Sequence, residues 1–124
     1  MKRRRYLAAY LLQADIAGLH ANVTPFHRRE QILFNFYKAA HGFKIFGCCD
    51  KTTKCPFQIT KFYASVKNKN SGFWRMGKFI CPVGTQKIIL LCRNDGLNQG
   101  ACGFDNVRIL SSEKATCSSS LNAT

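Results

Sequence analysis

Cationic and aromatic side chains recur in the parts of the chain whose composition is typical of β-strands. The residues of this kind are Lys44, Lys61, Trp74, Arg75, Lys78 and Lys87. Lysine and arginine neutralise phosphate groups, and an exposed aromatic ring offers a surface on which a nucleic-acid base can stack. If one open sheet face presents these residues, it would bind RNA without cutting it. In the alternative interpretation, Trp74 belongs to the core and the lysines are merely solvated.

The net charge of the chain also favours an acidic partner. The 124 residues include 19 Lys and Arg but only 6 Asp and Glu, which gives a formal net charge of +13. Most of this excess persists when the basic start of the chain is set aside, so it belongs to the folded part as well. A small basic domain favours RNA, DNA or an anionic surface as its partner. The length predicts a single domain, and the 46% hydrophobic content is enough for one core.

Seven cysteines are a high number for a chain of this length. They are Cys48, Cys49, Cys55, Cys81, Cys92, Cys102 and Cys117. In a secreted protein such cysteines form disulfide bonds, whereas in a cytosolic protein they bind a metal. Zinc needs four ligands, usually in short paired spacings, and the sequence offers no Cys-x-x-Cys and no histidine pair at zinc-finger spacing. We therefore expect disulfides with one thiol left over, no metal site and no cofactor, while the spacing leaves the pairing open.

The N-terminus resembles a secretory signal peptide. Residues 2–5 are basic, residues 6–12 are mostly apolar, and Ala21 is a small residue at a plausible cleavage point. Because Gln13 and Asp15 interrupt the apolar stretch, a basic amphipathic helix that stays attached is the alternative. The stretch is too short and too polar to span a bilayer, so no membrane association is predicted. Glycosylation sequons at Asn22 and Asn122 fit a secretory route.

These features divide the chain into three predicted parts. Residues 1–21 are the predicted signal peptide, residues 22–110 the folded domain, and residues 111–124 a small, polar tail. Near the start of the domain, Thr24-Pro25 is typical of a helix N-terminus. The apolar residues that follow have helical spacing, and Gly42 stands where a helix would stop. The residues of this stripe are Ile32, Leu33, Phe36, Tyr37 and Ala40. The pattern predicts one helix over residues 25–40.

After Gly42 the sequence pattern changes to that of strands. Residues 43–46, 57–63 and 73–80 are rich in β-branched and aromatic residues. Residues 88–92 are apolar, residues 93–96 (RNDG) have turn composition, and a half-apolar run continues to residue 107, which predicts a β-hairpin. One helix followed by such strands predicts an α+β fold, with an N-terminal helix packed on a twisted antiparallel sheet of four to five strands.

Four segments resemble the guanyl-preferring microbial ribonucleases. They are "CPFQIT" from Cys55, "CPVGTQKIILL" from Cys81, "RNDGLNQ" from Arg93 and "ACGFDNV" from Ala101. They are similar in order to the strands and hairpin that follow the single helix of that family, and the resemblance covers residues 24–107. It implies a microbial ribonuclease-like fold, in which the concave face of the sheet holds the RNA.

The catalytic residues of that family have no counterparts in this sequence. Cleavage needs a base, an acid and cationic help for the phosphorane. The resemblance puts the family's glutamate base near Pro56, its arginine at Lys87, and its histidine acid at Asn106 or Val107. Because both the base and the acid are missing, the resemblance implies a ribonuclease-like protein with no catalytic residues.

The chain resembles the ribonuclease-like secreted effectors of plant-pathogenic fungi, the powdery mildews in particular. These are small, keep the fold and a few cysteines, and usually lack the catalytic residues. The resemblance implies a monomeric secreted virulence effector, delivered into host cells, that binds host RNA or a host protein such as an immune receptor. The family's early Tyr-x-Cys motif is absent, so the resemblance leaves Cys117 to another partner, Cys48 or Cys49. The alternatives are an active small secreted ribonuclease and an intracellular zinc-dependent nucleic-acid-binding protein.

Overall fold

The fold is built from eight β-strands. The computed structural model describes residues 6–39, 42–60 and 74–111, and none of these residues is helical. The strands are β1 (Tyr6–Leu11), β2 (Ile16–Asn22), β3 (Glu30–Lys38), β4 (Phe43–Cys49), β5 (Phe57–Ile59), β6 (Arg75–Cys81), β7 (Lys87–Asn94) and β8 (Gly100–Ser111). Within the described ranges, no helix has the length and apolar character needed to cross a bilayer.

The strands form two four-stranded antiparallel sheets. Sheet I has the order β1-β8-β3-β6 and sheet II the order β2-β7-β4-β5. Buried side chains from both sheets form one hydrophobic cluster, as in a β-sandwich. The prediction of an α+β fold with an N-terminal helix was therefore wrong, and the ribonuclease-like architecture that it implied is not the architecture of this chain.

The segment predicted to be a helix is strand β3. Its buried residues are Ile32, Phe34 and Phe36, which recur every second residue, whereas Leu33 and Tyr37 lie on the other face and are half-buried. The predicted helical stripe omitted Phe34, whose side chain is 0% exposed. A period of two places all three buried side chains on one face of a strand, while a period of 3.6 would scatter them. The aromatic and β-branched residues here also favour a strand.

The predicted hairpin between residues 88 and 107 was wrong in its pairing. Both strands exist, but β7 pairs with β2 and β4 in sheet II, and β8 pairs with β1 and β3 in sheet I. The connection between them therefore crosses from one sheet to the other. The strands predicted at residues 43–46 and 73–80 correspond to β4 and β6, and the one at residues 57–63 is described only as far as Ile59.

Phenylalanine rings fill the space between the sheets. Phe34 of sheet I lies edge-on to Phe57 of sheet II, with ring centroids 5.1 Å apart, and it also contacts Phe79 and Phe104. Gly47 makes room for this cluster, because a Cβ there would lie 2.4 Å from the ring of Phe79. The core thus depends on large rings from one sheet that reach the backbone of the other.

Three disulfide bonds reinforce this core. Cys49–Cys81 joins β4 to β6 and Cys92–Cys102 joins β7 to β8, so each links the two sheets, while Cys48–Cys55 closes the connection from β4 to β5. The expectation of disulfides is confirmed for these six cysteines, which are therefore not available as the zinc ligands of the alternative interpretation. Cys117 lies outside the described residues. Neither Cys48 nor Cys49 is left to pair with it, so that suggested pairing was wrong.

The first two strands lie within the segment predicted to be a signal peptide. Strand β1 pairs with β8 over six residues, and β2 pairs with β7 over seven. Leu11 of β1 is 3% exposed and belongs to the hydrophobic core. Cleavage after residue 21 stays a prediction, and it would remove β1 together with all of β2 except Asn22.

Candidate functional site

The solvent-exposed side of sheet I carries a mixture of aromatic, apolar and cationic side chains. Since Ile32, Phe34 and Phe36 of β3 point into the core, Leu33 and Tyr37 point to the opposite side. Cross-strand pairing extends this side over β6 and β8. We call the surface formed by the following residues the outer face of sheet I: Leu33, Tyr37, Trp74, Met76, Lys78, Ile80, Asp105, Arg108 and Leu110.

An aromatic pair marks one end of this face. Trp74 immediately precedes β6, and its ring lies 5.6 Å from that of Tyr37 at an angle of 39°. Trp74 is 49% exposed, so it does not belong to the core as the alternative interpretation supposed. The exposed ring of Trp74, which packs against Tyr37, is a surface on which a planar group can stack.

Two cations lie side by side farther along the same face. Leu33 pairs with Lys78 of β6 on one side and with Arg108 of β8 on the other. The three residues therefore form one row across the sheet. Adjacent strands are about 4.8 Å apart, which places the backbones of Lys78 and Arg108 roughly 10 Å from each other. Both side chains are exposed.

A β-bulge puts Arg108 on this face. Asp105 pairs with Asn35 and Arg108 with Leu33, so two residues of β8, Asn106 and Val107, stand opposite Phe34 alone. Asn106 takes the left-handed conformation, with φ of 55°, which asparagine tolerates better than most residues. In a regular strand, residues three apart point to opposite faces, and the extra residue brings Asp105 and Arg108 to the same one.

The two sheets differ in how their basic residues are neutralised. On sheet II, Lys44 and Arg93 both contact Asp95, at 3.1 and 2.9 Å. The hydrogen bond from Arg93, reinforced by Lys44, holds the pKa of Asp95 below its usual range. On sheet I, neither Lys78 nor Arg108 has an ion-pair partner among the described residues, and the Arg108 guanidinium donates only to the Asn106 carbonyl, at 2.9 Å. Lys78 and Arg108 thus differ from Lys44 and Arg93, which share the carboxylate of Asp95.

Comparison with known proteins assigns no family. No family model and no curated protein matches this sequence. The strongest feature of the candidate site is the combination of a tilted aromatic pair and two cations without ion-pair partners on one open face.

The structure divides the residues predicted to bind RNA between the two sheets. Trp74 and Lys78 lie together on the outer face of sheet I. Arg75 belongs to the same strand, but its guanidinium lies over the ring of Phe36, 5.5 Å from the centroid. Lys44 and Lys87 are on sheet II, and Lys61 lies outside the described residues. A single interface that uses all six residues is therefore not formed.

Two residues of the site were not predicted from the sequence. Tyr37 had been assigned to the buried stripe of a helix, although the alternation of β3 would have placed it opposite Phe34 and Phe36. Arg108 follows the predicted end of the last strand, and its distance of three residues from Asp105 gave no sign that both share a face. The Asn-containing DNV sequence at the bulge was the available signal.

The positions aligned with ribonuclease catalytic residues do not converge. Pro56 lies in the connection between β4 and β5, Lys87 begins β7 on sheet II, and Asn106 lies in the bulge of sheet I. Among the described residues, no group of three or more His, Cys, Asp or Glu could hold a metal ion. Of the two glycosylation sequons, Asn22 is exposed at the end of β2 and Asn122 lies outside the described part of the chain.

Proposed function

We propose that the protein is a secreted, non-enzymatic binding module that binds single-stranded RNA on the outer face of sheet I. The observation that carries the proposal is the presence of the Tyr37–Trp74 pair and the cations Lys78 and Arg108 on one open sheet. Stacking on aromatic rings and neutralisation of phosphates by lysine and arginine are the two interactions that single-stranded nucleic acids use most.

The distances on this face suit an extended chain of nucleotides. Trp74 and Lys78 are four residues apart along one extended segment, which corresponds to roughly 13 Å at about 3.3 Å per residue. A base stacked on Trp74 would leave the backbone of the strand to run towards Lys78 and Arg108. A duplex would keep its bases stacked internally, so it could use the cations but not the rings. Single-stranded RNA therefore uses more of the face than double-stranded RNA.

Binding of this kind tolerates many sequences and responds strongly to salt. The rings stack on any base, and lysine and arginine contact phosphates, which carry no sequence information. Each phosphate contact with a single strand contributes a slope of about −0.7 to the dependence of log affinity on log salt concentration. Two contacts, from Lys78 and Arg108, therefore give a slope of roughly −1.4.

Secretion is supported by the cysteines rather than by the N-terminus. Three disulfides, with five of the six cysteines buried, fit an oxidising compartment. The expectation of a virulence role in a plant host depended on the ribonuclease resemblance, whose fold this chain does not have. The proposed function is therefore secretion and binding, without a virulence role.

A protein partner is the second candidate for the same face. Met76, Ile80 and Leu110 are exposed by 55%, 44% and 51%. Ile80 and Leu110 lie on either side of Gln31, and the next row on the same face contains Lys78 and Arg108. A row with apolar side chains therefore lies beside a row with basic ones. An acidic protein surface with apolar anchors would complement this pattern, whereas a second copy of this strongly basic chain would be repelled.

Oligonucleotide binding to substituted proteins tests the proposal. Trp74→Ala should weaken binding of a labelled single-stranded RNA by about 1–3 kcal/mol, which is the usual value of base–aromatic stacking. The Lys78→Gln/Arg108→Gln double substitution should weaken binding and flatten the salt dependence. Fluorescence anisotropy at several salt concentrations measures both effects, and gel electrophoresis of the recovered RNA shows whether it stays intact.

Lys44→Gln/Arg93→Gln is the matched control, because it removes one lysine and one arginine from the exposed side of the other sheet. Equal losses in the two double variants would mean that binding follows net charge alone, which would contradict the proposed site. Specific RNA cleavage would contradict the non-enzymatic assignment. Absence of RNA binding, together with capture of an acidic protein that requires Met76 and Ile80, would favour the second candidate.

A further inference from the structure

A second candidate site lies at one end of sheet II. It is a cleft of about 430 Å³ lined by Asn22, Val23, Asp50, Lys51, Gln86 and Lys87. Its walls come from the end of β2, the turn after β4 and the connection from β6 to β7. The cleft is shallow and widely open to solvent. None of the residues of the outer face of sheet I contributes to it.

Hydrogen bonds hold the walls of this cleft in place. Asp50 has a left-handed backbone conformation, with φ of 67°, and its Oδ1 accepts from the backbone N–H groups of Gln86 and Lys87, at 2.8 and 3.0 Å. The Asp50 N–H in turn donates to the Lys87 carbonyl, and the Val23 N–H donates to the Gln86 carbonyl. The end of β2 and the turn after β4 are thus both hydrogen-bonded to the segment at residues 86–87, which forms the third wall.

Covalent bonds stabilise the same region. The turn that carries Asp50 and Lys51 follows directly after Cys48 and Cys49, which are bonded to Cys55 and Cys81. The first bond closes this turn, and the second fastens the end of β4 to the end of β6. A cleft whose walls are fixed in this way loses little conformational entropy when a ligand binds.

The lining chemistry selects an acidic, hydroxylated ligand. Lys51 and Lys87 contribute two positive charges, and the single negative group, Asp50, already accepts two backbone N–H groups. Gln86 brings a side-chain amide that can both donate to and accept from a hydroxyl group. The lining includes no aromatic ring, so a stacked nucleobase is disfavoured.

We propose that this cleft binds an acidic monosaccharide. Its phosphate or carboxylate group lies between the ammonium groups of Lys51 and Lys87, and its hydroxyl groups contact the amide of Gln86. The proposal does not depend on RNA binding, because the two sites lie on different sheets and share no residue.

Amide-resolved NMR titration of the full-length, disulfide-bonded chain tests this proposal. The probes are glucose 6-phosphate, glucuronate, glucose and inorganic phosphate. We expect saturable shifts at residues 22–23, 50–51 and 86–87 with the two acidic sugars, and affinities for glucose and for inorganic phosphate that are weaker by about tenfold or more. Equal affinity for glucose, equal affinity for inorganic phosphate, or no saturable shift would overturn the proposal.

Substitutions at the two lysines give a second, independent test. Lys51→Ala and Lys87→Gln should each weaken binding of glucose 6-phosphate by about tenfold, the usual value for losing a hydrogen bond from a charged group. Lys54→Ala is the matched control, since Lys54 lies in the same turn but does not line the cleft. The exposed position of Lys51 makes its substitution safe for folding. Unchanged affinity in Lys51→Ala, or an equal loss in Lys54→Ala, would overturn the assignment of the lysines.

Discussion

Asn106 affects the proposed site through its backbone conformation rather than through its side chain. Its left-handed conformation allows the bulge in β8, and the bulge brings Arg108 to the outer face of sheet I beside Leu33. Bulges occur often next to functional sites because they change the direction of a side chain. The position of Arg108 therefore depends on the backbone conformation of a nearby residue.

Substitution of Asn106 should show whether this position requires a residue that tolerates the left-handed conformation. Asn106→Gly keeps access to positive φ and should leave the free energy of unfolding nearly unchanged. Asn106→Val places a β-branched residue in the left-handed region and should destabilise the protein by about 1–2 kcal/mol. Chemical denaturation measures both values. Equal stability of the two variants would show that the bulge does not require a residue that tolerates this conformation.

At the residue scale, the sequence indicated part of the site. The composition of residues 73–80 predicted the strand that carries Lys78. Trp74 immediately precedes this strand, and alternation from Trp74 to Lys78 puts both on one face. Arg108 could not be predicted, because an inserted bulge residue reverses the face of everything after it. The Lys44–Asp95 and Arg93–Asp95 ion pairs were also beyond prediction, since they depend on side-chain contacts that the spacing of the residues does not determine.

At the scale of the elements, β3 shows why the helix prediction failed. Its apolar residues satisfy both a period of two and a period of 3.6, and short apolar runs are ambiguous in this way. Phe34 decides between them, because the completely buried ring contacts Phe57, Phe79 and Phe104. A helix over the same residues would have directed Phe34 away from Ile32 and Phe36. The preference for the strand thus comes from packing across the two sheets.

The disulfide pattern makes a prediction about the contribution of each bond. Digestion of the unreduced protein followed by mass spectrometry should give Cys48–Cys55, Cys49–Cys81 and Cys92–Cys102 as linked peptides. Replacing Cys92 and Cys102 together by Ser should lower the free energy of unfolding by about 2–4 kcal/mol. The Cys92–Cys102 bond joins the two sheets, whereas Cys48–Cys55 closes a loop of similar length within sheet II. Removal of Cys48–Cys55 should therefore lower the free energy of unfolding by a smaller amount.

A different set of linked peptides would contradict the topology directly. Comparison of the two double cysteine variants shows whether a disulfide stabilises the protein by closing a loop or by joining the two sheets. Equal losses of stability in the two variants would mean that loop closure alone accounts for the effect, because the two bonds span 10 and 7 residues.

The N-terminal strands give another prediction at this scale. A chain that starts at residue 22 lacks β1 and all of β2 except Asn22, and it exposes the edges of β8 and β7. Unpaired strand edges destabilise a sheet and promote aggregation. We therefore expect a lower melting temperature and earlier aggregation than for the full chain, both measurable by thermal unfolding with light scattering. A truncated chain with unchanged melting temperature would show that these strands are dispensable.

At the scale of the whole molecule, the cysteine content predicted the disulfides, because this property depends on composition. The acidic partner that the excess of basic residues indicates stays a prediction. The crossing of most connections between the two sheets could not be predicted. Local sequence describes each strand, but the choice of neighbouring strand depends on contacts far apart in the chain. The turn residues at 93–96 therefore suggested a hairpin where the chain in fact changes sheets.

The two proposed sites lie on different sides of the molecule. The outer face of sheet I carries the Tyr37–Trp74 pair and the cations Lys78 and Arg108, whereas the cleft proposed to bind an acidic sugar lies at one end of sheet II. The disulfide-linked core between the sheets keeps the two sides apart. Each site can therefore be altered by surface substitutions that leave the shared core unchanged.

The intrinsic fluorescence of Trp74 tests the central claim most directly. It is the only tryptophan in the chain, and it lies half-exposed on the proposed RNA-binding face. Titration with a single-stranded oligoribonucleotide should quench this fluorescence to saturation, with an apparent affinity that falls as salt is added. The Lys78→Gln/Arg108→Gln variant should need a higher RNA concentration for the same quenching. Fluorescence that stays constant while RNA is bound, or a titration that is identical in this variant, would contradict the claim that the outer face of sheet I binds RNA.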